Sequence, residues 1–211
     1  MLMMHIPPGK DGYSGGSMWN DNLYYIDTKK DTLNLQNAFL DFIEHKQSNI
    51  TSILTSHTHL DGLRRLYKSH HNTEQDSMIG LSISTLGITI GHGNNPAFKL
   101  FTYNNTNFDV LDFKTHFAVP TEISKKAIEK AKKEGRKVPP KPDSLFVFRG
   151  DSSYTFKESY KATNAPNNTI YSTIYNMDKD SIIKYMNSIY GAKSNQDVYL
   201  KHEDALDVHK E

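Results

Sequence analysis

The chain of 211 residues has no cysteine, a single tryptophan and almost no net charge. Without cysteine there are no disulfides, no thiolate metal ligands and no thiol nucleophile, which leaves histidine and carboxylate as the residues able to grip a transition metal. Lys and Arg number 25 against 24 Asp and Glu, a formal charge of +1. No global field therefore draws the protein toward nucleic acid or anionic lipid, and no nucleic-acid partner is expected. No apolar run reaches the ~20 residues that span a bilayer, so no transmembrane segment is expected. The Met1–Met4 start lacks the charged and apolar regions of a secretory signal. If the protein is exported, the address is expected outside this chain.

Against these absences stand ten histidines. Two segments concentrate the chemistry, His5-Ile6-Pro7-Pro8-Gly9 and Ser56-His57-Thr58-His59-Leu60-Asp61. Each places imidazole just beyond a short apolar run, Met1–Met4 and Ile50–Leu54, where the strand tips of an α/β sheet carry chemistry. Between them Leu35, Ala38, Phe39, Phe42 and Ile43 recur at helical spacing, predicting an amphipathic helix capped by Thr32 or Asn34 and ending near Lys46. A strand, helix, strand unit with parallel strands puts both histidine segments at one sheet edge. In extended backbone residues i and i+2 share a side, so His57 and His59 are expected to aim at one point, with His5 completing a three-imidazole cluster suited to zinc, iron or manganese. Asp61 is expected to orient a ligating imidazole from behind.

Farther on, 80–90, 98–103 and 110–119 read as strands of an antiparallel meander with turns at 91–96 and at Asn104-Asn105. A basic helix and linker occupies 121–141, and a final helix is expected over about 178–190 with Gly191 as its cap. The polar, aromatic-containing stretch from Asp11 to Lys30 reads as a long surface loop. Tyr13 and Trp19 in it either touch substrate or hold the loop down.

Taken in order, His5-Ile6-Pro7-Pro8-Gly9, His57-Thr58-His59-Leu60-Asp61, Ser82-Ile83-Ser84 and Gly93-Asn94-Asn95-Pro96-Ala97-Phe98 resemble the calcineurin-like metallophosphoesterases, specifically their acid sphingomyelinase-like branch. The resemblance covers about residues 5 to 115. It implies an α/β fold, the C-terminal half of a four-layer α/β/β/α sandwich with a helical C-terminal annex. The implied divisions are 1–119 for that half domain, 120–143 for the basic helix and linker, and 144–211 for an aromatic-helical region. It implies two divalent ions, zinc first and iron or manganese as alternatives, with His5 and His57 on one and His59 on the other. Asn94 and Asn95 shape the substrate side, with Tyr13 near it. The implied substrate is a phosphodiester or phosphomonoester, a small molecule or lipid head group, attacked by metal-activated water.

The family's Asp-x-His, Gly-Asp and Asn-His motifs would precede His5, so the catalytic residues are expected upstream, in a missing N-terminal half. Ser56 stands where the family has glycine. The alternative is a truncated or degenerate module that binds metal or a partner without turnover. A lipid-surface adaptor using the basic helix ranks last. The resemblance suggests a secreted, periplasmic or lysosomal setting.

Overall fold

The computed structural model describes residues 1–12, 14–19, 34–68, 78–89, 95–120, 122–135, 146–160, 170–178, 180–181 and 207–209. It is a mixed α/β protein with two sheets and a few helices. No described helix is long and apolar enough to cross a membrane.

Strand β1 (Leu2–Met3) leads through the region before helix α1 (Leu35–Lys46) to β2 (Ile53–Thr55). The helix forms where the periodicity predicts. Asn34 caps it, its side-chain oxygen accepting from the Asn37 amide at 3.0 Å, and His45 and Lys46 sit in the last turn, where positive charge opposes the helix dipole. Strands β3 (Gly62–Tyr67) and β4 (Met78–Ser84) follow. With β8 (Asp207–Val208) they make a five-stranded sheet in the order β1-β2-β4-β3-β8. β1, β2 and β4 run parallel, as expected for the strand, helix, strand unit; β3 is antiparallel to β4, and β8 parallel to β3.

A second sheet, order β5-β6-β7, is antiparallel throughout: β5 (Ala97–Tyr103), β6 (Val110–Pro120) and β7 (Phe146–Thr155). The expected meander is thus divided. The segment from residue 80 joins the first sheet as β4, whereas the two later strands form the hairpin of the second, and residues 85–89 leave β4 as irregular backbone. Helices α2 (Glu122–Lys133), α3 (Phe156–Tyr160) and α4 (Ile170–Tyr175) complete the described elements. Of the helix expected over 178–190, Asp178 is described and non-helical, its side chain accepting from the Ser181 amide at 2.7 Å, Asp180 and Ser181 are helical, and the remainder lies outside the described residues.

Both faces of the larger sheet are covered, so every residue of β3 and β4 is buried, the pattern of a sheet with no solvent side. Leu40 and Ile43 of α1 pack with Ile53, Leu66 and Val208 on one face. On the other, Leu63, Leu81 and Ile83 meet Val110 and Phe113 of β6, with Phe156, Ile170 and Ile174 from the later helices. Each such fully buried side chain contributes about 1.5–3 kcal/mol from removal of apolar surface from water. Chain after residue 144 therefore contributes a strand to each sheet and helices to the core between them.

The β8 strand is only two residues long and is fixed by charge. Arg65 donates to both carboxylate oxygens of Asp207, Nε to Oδ1 at 2.8 Å and Nη2 to Oδ2 at 3.1 Å, and its Nη1 donates to the Met177 carbonyl at 3.0 Å. Such a two-pronged arrangement suits the planar guanidinium. Beside it the Tyr67 ring stacks on His209 at 5.0 Å.

Candidate functional site

Because β1, β2 and β4 are parallel, their carboxyl ends share one edge of the sheet, and the antiparallel β3 starts there. The loops on that edge are tied by backbone hydrogen bonds. The Ser56 amide donates to the His5 carbonyl at 2.9 Å, Thr85 to Thr55 at 3.1 Å, and Gly87 to His59 at 3.2 Å. Residues 5, 56–61 and 85–89 are thus one connected rim.

His5 and His57 come together on it. Nε2 of His5 lies 3.3 Å from Nδ1 of His57, with the rings edge to face and their centroids 5.1 Å apart. Both residues are exposed. Such a pair can share a proton in an N–H···N hydrogen bond, or both nitrogens can turn their lone pairs on one cation. Two imidazole nitrogens on a tetrahedral zinc, each at roughly 2.0–2.1 Å, stand ~3.3–3.4 Å apart. His57 also lines an open cleft of about 670 Å³ with Thr58, Asp11, Ser14, Gly16, Ser17 and Met18. The floor of that cleft is a tight turn in which Asp11 Oδ2 accepts from the Ser14 hydroxyl at 2.8 Å.

The turn is set by Gly9. Its φ is +90°, and a Cβ there would lie 2.7 Å from Cγ2 of Val208, so only glycine fits both the angle and the space. Its amide donates to Gln36 Oε1 at 2.9 Å, while Gln36 Nε2 donates to the His209 carbonyl at 3.1 Å. Trp19 holds this loop down: its indole donates to the Ile6 carbonyl at 3.3 Å and its ring packs on Phe39 of α1 at 4.9 Å.

The third imidazole departs from expectation. His57 and His59 have φ of +67° and +59°, left-handed backbone that side chains tolerate poorly. The i, i+2 rule of extended chain does not apply there, and His59 lines a different cleft of about 400 Å³, with Ser56, Thr85, Leu86, Gly87, Ile88, Thr89, Ala97 and Phe98. Its ring is held closely. Nδ1 is hydrogen-bonded to Thr89 Oγ1 at 2.9 Å, and a Cβ on Gly87 would meet His59 Cγ at 2.6 Å. Among the described residues no three His, Cys, Asp or Glu side chains gather closely enough to hold one metal ion.

Asp61 also departs from its expected role. It turns inward, 1% exposed, and pairs with Lys99 of β5, Nζ to Oδ1 at 2.7 Å. Its Oδ2 accepts from the Tyr154 hydroxyl at 2.9 Å and more weakly from Thr115 Oγ1 at 3.5 Å. Burial lowers the Lys99 pKa, against the pull of Asp61; burial and the adjacent Asp61 charge push the Tyr154 phenol well up. Asn95 is buried just ahead of β5, 2% exposed, while Asn94 and Tyr13 lie outside the described residues.

Gly87, Thr89 and Lys99 were not singled out by sequence. The signals were thin: a glycine after an apolar strand, a threonine, and one lysine inside an aromatic run. Of the remaining histidines that are described, His45 bonds to the Asp41 carbonyl at 2.7 Å, and His116 and His209 stack on Phe98 and Tyr67.

No protein-family model matches this chain, and no curated protein matches it.

Proposed function

We propose that this chain carries part of the site of a metal-dependent phosphoric ester hydrolase, a phosphodiesterase of the acid sphingomyelinase-like metallophosphoesterase kind, and that its two sheets belong to a four-layer α/β/β/α sandwich. What carries the reading is the 3.3 Å spacing of His5 Nε2 and His57 Nδ1 at the carboxyl edge of parallel strands, the span of two ligands on one tetrahedral ion. His5 and His57 would hold one zinc; His59, whose Nδ1 is engaged by Thr89, would present Nε2 to a second. Divalent ions bound there would supply Lewis acidity to water and charge neutralisation to the phosphoryl oxygens. Thr58, which lines the larger cleft beside His57, would face the ester. Further ligands and a leaving-group acid would be needed to complete such a site.

A second reading, a module that binds metal or a partner without turnover, is favoured by one observation: Asp61 is committed to Lys99 and Tyr154 rather than to the rim histidines.

The test is zinc content and affinity of the chain beside His5→Ala, His57→Ala and His59→Ala, with hydrolysis of bis-p-nitrophenyl phosphate measured on the same samples. Loss of either His5 or His57 is expected to weaken zinc binding at least tenfold. Turnover by the chain would exclude the second reading. Equal zinc content in all four proteins would end the metal site in both.

A further inference from the structure

The rim that bears His57 and His59 is joined to the second sheet by an enclosed polar cluster, besides the hydrogen bond of the Ala97 amide to the Gly87 carbonyl at 3.1 Å. Asp61 lies two residues beyond His59, at the entrance to β3. Its partners come from all three strands of the other sheet: Lys99 from β5, Thr115 from β6 and Tyr154 from β7. Lys99 Nζ also donates to Thr115 Oγ1 at 3.0 Å and sits 3.9 Å from the Phe113 ring centroid. The Asp61 and Lys99 side chains are each 1% exposed, and Thr115 is fully buried. An ion pair this deep is a poor source of net stability, because desolvating two charges costs about as much as their attraction returns. Apolar residues of similar volume would hold the two sheets together equally well. What they would not supply is direction, since an ion pair at one carboxylate oxygen and hydrogen bonds at the other fix the carboxylate's position and rotation where apolar contact would allow slip.

We infer that Asp61, Lys99 and Tyr154 are positioning residues, which lock the loop carrying His57 and His59 in register with the second sheet. The left-handed φ at His57 and His59 makes such a lock necessary, since strained backbone persists only where its surroundings over-determine it. The inference rests on the proposed metal site for its zinc readout alone; the backbone readout stands without it.

Four proteins decide the matter: the wild type, Tyr154→Phe, Lys99→Met and the double variant Asp61→Leu/Lys99→Met. Lys99→Met strands a buried carboxylate and is expected to lose stability in urea, whereas the double variant, with an apolar replacement for the pair, regains most of it. Positioning is read by amide hydrogen exchange over residues 56–61, normalised to global stability, and by zinc affinity. Exchange there is expected to remain at least tenfold faster than wild type in the double variant, with a smaller increase in Tyr154→Phe, and zinc affinity to remain about tenfold weaker. Recovery of slow exchange together with stability in the double variant would overturn the inference and leave the cluster a structural strut. If the wild type binds no zinc, the metal reading fails, and the exchange arm still decides between lock and strut.

Discussion

At the scale of single residues, the rim depends on atoms that are missing as much as on those present. His59 lies so close to Gly87 that one added methyl would stand 2.6 Å from its Cγ and 2.9 Å from its Nδ1. Gly87→Ala is expected to displace the ring, break its bond to Thr89 and cost about 1–3 kcal/mol from overpacking. Urea unfolding measures the cost, and the His59 ring nitrogen resonances report the lost hydrogen bond. The residue types on the rim were legible from sequence, and so was the meeting of His5 with His57. The divergence of His59 was not, because its cause is a backbone angle, and a histidine at φ near +60° leaves no mark in a spacing rule built on extended chain. Asp61 was misread for a related reason: its partners lie 38, 54 and 93 residues away, and an acid beside two histidines reads locally as theirs.

Among the secondary-structure elements, α1 was the most legible, since apolar spacing, a capping asparagine and basic residues in the last turn all agree. Replacing the cap tests that agreement. Asn34→Ala, which removes the acceptor for the Asn37 amide, is expected to cost ~1 kcal/mol in urea unfolding. The parallel pairing of β1 with β2 followed from the same unit. β3 was missed because Arg64 and Arg65 interrupt its apolar character; both are buried, at 6% and 8% exposure, with the Arg65 charge answered by Asp207. Assigning β4 to one meander with β5 and β6 failed at the crossing between sheets. Consecutive strands with short connections usually pair with each other, and nothing in residues 85–89 announces that the chain changes layers.

For the molecule as a whole, the two sheets and α1 establish a mixed α/β protein whose late segments complete its early ones. That closure should be visible in alkaline solution. Burial, helped by the Asp207 charge, pushes the Tyr67 phenol from 10.0 up to about 12. A raised acid group contributes stability that is fully present below the unfolded pKa and is lost as pH climbs through the folded one. Stability is therefore expected to fall between about pH 10 and 12. Tyr154 and Tyr171, also raised by burial, bend the curve the same way, so the difference between wild type and Tyr67→Phe isolates one ring. That difference is expected to shrink by about 2 kcal/mol across the window, read from urea unfolding at pH 9 and 12.

The bend that follows His5 closes against a methyl group of Val208, and Gln36 bridges the same two regions, accepting from the Gly9 amide and donating to the His209 carbonyl. The surroundings of the first histidine are therefore assembled from segments far apart in sequence. Clipping the chain ahead of Val208 is expected to loosen them without touching any residue beside His5 in the sequence.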